Sequence, residues 1–83
     1  MRRIESAMSE IVEIDARGLI CPLPVLRARK CLLGMAQGAL LHITADDPVA
    51  VIDLPHFCAQ AGHEMVEIRE GQDGAHLYVI RRG

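Results

Sequence analysis

The sequence predicts an α/β (α+β) sandwich of two layers, in which two helices cover one face of a four-stranded sheet. Three observations predict this fold. The 83 residues are 51% hydrophobic, which is enough for one thin core in a single small domain. Apolar residues alternate or recur at helical spacing in six segments, in the order β-α-β-α-β-β. Because two helices cannot cover both faces of four strands well, both are expected on the same face.

The first strand and the start of the first helix are separated by a turn. Residues 1–10 are mixed polar and are expected to form a flexible N-terminal extension, so the single domain spans residues 11–83. Ile11–Asp15 alternates as a short strand, and Gly18 marks the turn. The helix is expected to begin with Cys21 as its N-cap and Pro22 as its first helical residue.

The first helix has one apolar face. The residues of that face recur at i, i+3, i+7 and i+10: Val25, Ala28, Leu32 and Met35. Gly34 or Gly38 can end the helix. This spacing is typical of a helix that packs on a sheet.

The second strand and second helix repeat the arrangement. Leu40–Ala45 is the strand, and Asp46–Pro48 supplies an aspartate N-cap and a proline at the first helical position. The helix is expected to run to about Ala61 and to end at Gly62. Pro55 is expected to kink or restart it, because a proline inside a helix costs about 3 kcal/mol.

A hairpin completes the domain. Glu64–Glu70 and Ala75–Arg82 are the third and fourth strands, and Gly71–Gly74 is the turn that joins them. The two connections that contain helices are expected to join parallel strands with right-handed crossovers.

Composition excludes several classes of function. The two aromatic residues, Phe57 and Tyr78, are too few for a surface that stacks single-stranded nucleic acid. A net charge of −2 gives no electrostatic basis for binding DNA or RNA. No apolar run approaches the roughly 20 residues of a membrane helix, and the N-terminus has no signal-peptide pattern. We therefore expect a cytoplasmic protein without direct nucleic-acid or membrane binding, either monomeric or weakly self-associating.

Three cysteines raise the question of which one is reactive. Cys21, Cys31 and Cys58 form no two-residue spacing, which excludes zinc-ribbon, thioredoxin-like and haem-attachment motifs. Cys31 lies about 15 Å further along the same helix, too far to form a disulfide with Cys21 while the helix is intact. Cys31 is interpreted as a partly buried residue and Cys58 as a core residue. The remaining candidate is Cys21.

The position of Cys21 favours an ionised, nucleophilic thiol. A thiolate at a helix N-terminus is stabilised by the helix dipole and by free N–H groups, here those of Leu23 and Val25. Pro22 and Pro24 hold the turn stiffly. Arg17 and Arg27 would lower the thiol pKa further if they lay close to it. A single such thiol suits a sulfur carrier, whereas a dithiol oxidoreductase needs two.

Charged residues near this helix start are candidates for partner docking. Arg17, Arg27, Lys30, Asp46 and Asp47 form this set. The alternative is that the cations are a solvated helix face and that the aspartates cap the second helix. Four histidines, His42, His56, His63 and His76, lack the spacing of metal ligands, so we expect no metal and no bound cofactor.

The sequence also resembles a known family. Cys21–Pro24 after Asp15–Leu19, followed by Asp46–Pro48, Phe57-Cys58 and Gly62–Glu64, resembles the TusA (SirA-like) family of sulfur carriers over residues 11–83. The resemblance implies a mixed four-stranded sheet and a Cys21 that carries persulfide sulfur as a sulfurtransferase. It implies a cysteine desulfurase (IscS type) or a rhodanese as donor, and a TusD- or DsrE-like relay protein as acceptor.

Several functions stay open at this point. The resemblance implies that the sulfur is used for 2-thiolation of the tRNA wobble uridine, the best-known destination in the family. Related branches serve molybdenum-cofactor assembly or sulfur oxidation. Two alternatives lie outside sulfur transfer. One is a non-catalytic regulatory or interaction module, and the other is a redox-sensing thiol protein that is oxidised through a sulfenic acid.

Overall fold

The computed structural model describes residues 10–83, so the expected flexible extension lies almost entirely outside the described residues. Six elements follow one another: strand β1 (Ile11–Asp15), helix α1 (Leu23–Leu33), strand β2 (Leu40–Ala45), helix α2 (Ala50–Ala61), strand β3 (Glu64–Glu70) and strand β4 (His76–Arg81). Their types and order are those predicted. Neither helix is long and apolar enough to cross a membrane.

The strands form one mixed sheet in the order β1-β2-β4-β3. Strand β1 pairs with β2 in parallel, so Val12 lies opposite Leu41 and Ile14 opposite Ile43. Strand β4 lies antiparallel to both β2 and β3. This topology confirms the predicted parallel relation of β1 and β2, and it follows from crossing over through a helix.

The core lies between the helices and one face of the sheet. On that face the buried side chains alternate along β2 and β4 and meet the apolar face of α1. The main residues of this core are Ala28, Leu32, Leu41, Ile43, Leu54, Cys58, Tyr78 and Ile80. Val12, Ile14 and Met65 pack against it from the outer strands. Both helices therefore cover the same face, as predicted.

Both helices begin later than the sequence suggested. Pro22, not Cys21, is the N-cap of α1. Helix α2 begins at Ala50 with Val49 as N-cap, because Asp47 instead closes a turn: its Oδ1 accepts the Val49 N–H at 3.2 Å. Helix α2 runs without interruption through Pro55, so the expected restart is wrong. It ends at Gly62, as predicted, in the left-handed conformation with φ +83°.

This topology determines where the functional groups meet. Because β1 and β2 are parallel, the loops that follow them lie at the same edge of the sheet. The first loop, residues 16–22, leads into α1, and the second, residues 46–49, leads into α2. Cys21, Asp46 and Asp47 are all in these loops, and the first turn of α2 lies beside them.

Candidate functional site

Cys21 lies in the loop just before α1. It is the exposed cysteine of the three, whereas Cys31 is half-buried and Cys58 is buried, as predicted for both. The peptide bond between Cys21 and Pro22 is cis. Because Pro22 is the N-cap of α1, Cys21 precedes the N-cap by one residue, and its expected place as the N-cap itself is wrong.

The helix start also offers the thiol fewer donors than expected. The Leu23 N–H donates to the Ile20 carbonyl at 2.8 Å, so it is already engaged. Pro22 and Pro24 have no N–H. Pro24 is buried, and Val25 is half-buried against the core, so both fasten the start of α1 to the sheet. Of the two N–H groups expected to face the sulfur, that of Leu23 is therefore already bonded within the loop.

Two aspartates contact Cys21 directly. The Cys21 Sγ donates a hydrogen bond to Asp53 Oδ2 at 3.0 Å, and the Cys21 backbone N–H donates to Asp47 Oδ2 at 2.5 Å. Asp53 lies in the first turn of α2 and is half-buried. The reactive loop is therefore held against the second helix by carboxylates.

These carboxylates determine how the thiol ionises. The hydrogen bond to Asp53 raises the pKa of Cys21 above the ordinary value of a thiol, and partial desolvation and the charges of Asp53 and Asp47 raise it further. A negative charge next to a group that must itself become negative disfavours ionisation. The expected lowering of the Cys21 pKa is therefore wrong, because acids rather than cations face the sulfur.

The nearest predicted cation is engaged elsewhere. Arg17 Nε and Nη2 each donate to Asp15 at 2.9 Å, an exposed bidentate pair. This pairing holds the pKa of Asp15 at about 2. Neither Arg17 nor Arg27 acts on the ionisation of Cys21.

The docking candidates separate into two groups. Arg27 and Lys30 are exposed and line a shallow groove with Leu19, Leu23 and Leu26. Asp46 and Asp47 instead hold the loops together, since Asp46 Oδ1 accepts the Gly18 N–H at 3.0 Å. Arg27 and Lys30 stay candidates for partner docking, whereas the two aspartates have an evident structural use.

Exposed apolar side chains lie close along the chain to the residues of this site. Ile20 is adjacent to Cys21 and Leu23 lies two residues after it, while Val49 and Ile52 belong to the start of α2, which carries Asp53; Ile20 is 69% exposed and Ile52 70%. Large apolar side chains gathered at an exposed site are typical of a protein contact surface. We call these four residues the apolar rim.

Asp53 is the residue that sequence reasoning missed. The parallel crossovers place both helix starts at one edge of the sheet, and Asp53 is an acid in the first turn of the second helix. That position could have indicated a neighbour of Cys21. Within residues 10–83, no group of three or more His, Cys, Asp or Glu side chains is arranged to hold a metal ion.

The comparisons with known proteins point to one family of sulfur carriers. The family model described as Sulfurtransferase TusA matches residues 12–82. The sulfur carrier protein TusA of Allochromatium vinosum is 44% identical, over 84% of this chain and 91% of that protein. A putative sulfur carrier protein of Archaeoglobus fulgidus is 39% identical, over 83% and 90%.

A solved structure is also similar. The crystal structure of a SirA-like protein from Desulfitobacterium hafniense superposes with a TM-score of 0.75 at 32% sequence identity. The match covers 87% of this chain and 97% of that one.

Proposed function

The chain belongs to the TusA family of sulfur carriers, and we propose that Cys21 is the residue that carries the sulfur, as a persulfide. The observation that carries this proposal is the exposure of Cys21 in a loop at the edge of the sheet, while the other two cysteines are half-buried or buried. A sulfur that must reach the active sites of two different proteins has to be accessible to both.

The transfer uses displacement at sulfur in both directions. The Cys21 thiolate attacks the outer sulfur of a donor persulfide, the donor S–S bond breaks, and the donor leaves as a thiolate that takes up a proton. Cys21 then carries the outer sulfur as Cys21–S–SH. An acceptor thiolate attacks that sulfur, and Cys21 leaves as a thiolate. No oxidant or reductant is consumed, so the carrier acts as a sulfurtransferase without a cofactor of its own.

The donor and acceptor that we propose rest on the family resemblance. A cysteine desulfurase of the IscS type or a rhodanese holds persulfide sulfur on its own cysteine and is the donor we propose. The acceptor we propose is a TusD- or DsrE-like relay protein. Arg27 and Lys30 support docking, because they are exposed beside an apolar groove that begins two residues from Cys21.

Intact mass spectrometry under non-reducing conditions tests the carrier role. Wild type, Cys21→Ser and the matched control Cys31→Ser are each incubated with a cysteine desulfurase and free cysteine. We expect wild type and Cys31→Ser to gain one sulfur atom and Cys21→Ser to gain none. No gain in wild type with either a desulfurase or a rhodanese would contradict the proposal, as would a full gain in Cys21→Ser.

The pathway we propose is 2-thiolation of the tRNA wobble uridine, on the basis of the family resemblance. Its test is the 2-thiouridine content of tRNA in cells that lack this protein. We expect wild type to restore it and Cys21→Ser to leave it low. Unchanged 2-thiouridine in the deletion strain would contradict this destination and would direct attention to molybdenum-cofactor assembly or sulfur oxidation.

A further inference from the structure

The contact between Cys21 and Asp53 has a consequence for the proteins that bind here. Asp53 is half-buried, and the only hydrogen-bond partner of its carboxylate among residues 10–83 is the Cys21 thiol, at 3.0 Å. A carboxylate has about four acceptor sites, so most of the capacity of Asp53 is unused by the protein. The ion pairs among the described residues involve Arg17, Arg69 and Arg81, all with other acids.

Among residues 10–83, no cation therefore pairs with the negative charge at this site. Asp47 adds a second carboxylate, whose hydrogen-bond donors within the same residues are the backbone N–H groups of Cys21 and Val49. Tyr78 has a fully buried hydroxyl, its pKa is raised by burial and by the charge of Asp47, and yet it donates to neither acid. The four exposed residues of the apolar rim each lie within four residues of Cys21 or Asp53 along the chain.

We infer that the surface around Cys21 fits a partner with an apolar contact surface that carries a lysine or arginine beside its reactive sulfur, where the cation pairs with Asp53. This inference rests on the proposed function, because the partner is the sulfur donor, whose persulfide the Cys21 thiolate attacks. The apolar rim excludes water when the partner is bound, which strengthens the ion pair.

The pairing accounts for how an unreactive resting thiol becomes reactive. In the free carrier Asp53 holds the proton on Cys21, which keeps the exposed thiol from side reactions. A cation on Asp53 removes the charge that opposes ionisation, and the thiolate then forms next to the donor persulfide. The carrier is therefore activated by the partner it docks with.

Small disulfides of different charge test this inference without any partner protein. Cystamine carries an ammonium group close to its S–S bond, and hydroxyethyl disulfide is its neutral counterpart. In each reaction the Cys21 thiolate attacks one sulfur, the reagent S–S bond breaks, a mixed disulfide forms, and the released thiolate takes up the proton. The quantity measured is the ratio of the two rate constants, relative to the same ratio for a synthetic peptide of residues 18–27.

We expect the ratio of the cystamine rate constant to the hydroxyethyl disulfide rate constant to be about fivefold higher for the folded protein than for the peptide. This factor corresponds to the attraction between one pair of unit charges about 4 Å apart in water. Asp53→Asn keeps the shape of the side chain and should lower this preference at least threefold. Asp73→Asn is the control, because it removes the same charge from the β3–β4 hairpin at a position with φ +55° that asparagine tolerates. It should keep the preference.

Two results would overturn the inference: no preference in the folded wild type, or a preference that survives Asp53→Asn. The disulfide measurement involves no persulfide. If the wild type failed to load sulfur from a donor, the proposed function would fail while this result stood, so the two failures are distinguishable.

Discussion

At the scale of single residues, Cys21 and Asp53 show how a neighbour from another element governs a thiol. Helix-start position alone favours the thiolate. A carboxylate at 3.0 Å favours the thiol, and its direct contact outweighs a dipole whose free amides are partly engaged. The free carrier is therefore a stable thiol that must be activated.

The titration of Cys21 is the first prediction at this scale. Alkylation by iodoacetamide over a range of pH should give a higher pKa for Cys21 in the folded protein than in the urea-unfolded chain, because Asp53 and Asp47 face only the folded thiol. Trypsin places Cys21 in the peptide 18–27 and both other cysteines in the peptide 31–69, so each signal can be assigned.

The raised pKa of Cys21 also makes the stability of the fold depend on pH. Since the folded pKa is raised, the contribution of protonated Cys21 is fully present below the unfolded pKa and is lost as pH rises through the folded pKa. A folded pKa at or below the unfolded value would contradict this description of the site.

Tyr78 gives a second prediction. Its hydroxyl is fully buried with no hydrogen-bond partner among residues 10–83. A buried hydroxyl without a partner is destabilising, so Tyr78→Phe should leave the free energy of unfolding unchanged or raise it by up to about 1 kcal/mol. Urea denaturation measures this change, and Tyr78→Ala, which should lose about 3–5 kcal/mol of packing, is the control. A loss above about 1.5 kcal/mol in Tyr78→Phe would show that the hydroxyl is hydrogen-bonded after all.

At the scale of elements, Gly62 ends α2 in a conformation that other residues rarely adopt. Its φ is +83°, and a Cβ there would meet no atom within 4 Å, so the cost of Gly62→Ala comes from the backbone alone. We expect a loss of about 1–2 kcal/mol in the free energy of unfolding, measured in urea.

Gly34 is the matched control for Gly62. It ends α1 at φ −94°, where alanine is unstrained, and its Cβ would lie 3.8 Å from the Cys31 carbonyl oxygen, an ordinary contact. Gly34→Ala should raise the free energy of unfolding by about 0.4–1 kcal/mol, because alanine has less conformational freedom than glycine in the unfolded chain. Equal losses in the two variants would contradict the assigned role of Gly62.

The elements themselves could be predicted from the sequence because local signals determine them. Alternation gave Ile11–Asp15, Leu40–Ala45 and Glu64–Glu70 with the bounds that the structure has. The first residues of the helices could not be predicted in this way, because they depend on long-range contacts. Asp47, for example, accepts a hydrogen bond from the Cys21 N–H instead of acting as the N-cap of α2. Proline and aspartate signals locate such a start only to within two residues.

At the scale of the whole molecule, the edge of the sheet that carries Cys21 is the docking surface that we propose. Neither Arg27 nor Lys30 pairs with an acid within residues 10–83. Arg27→Ala combined with Lys30→Ala should raise the KM for loading by a desulfurase about three- to tenfold, more at low salt, with little effect on stability. Arg29→Ala is the control, since it removes a cation of the same helix that does not line the groove. An equal rise in KM for Arg29→Ala would indicate net charge rather than docking.

Whether a residue of the site could be predicted from the sequence depends on how far along the chain it lies from Cys21. Cys21 and its prolines are adjacent, so sequence identified them. Asp53 is 32 residues away and reaches the sulfur only through the packing of α2 beside α1. The proton on Cys21 is therefore a property of the folded molecule.

Peptide mapping of the loaded carrier tests the central claim most directly. After incubation with a cysteine desulfurase and free cysteine, the protein is alkylated to cap the persulfide and digested with trypsin. The account predicts one extra sulfur atom on the peptide 18–27, which contains Cys21 alone. An extra sulfur on the peptide 31–69, with none on 18–27, would contradict it.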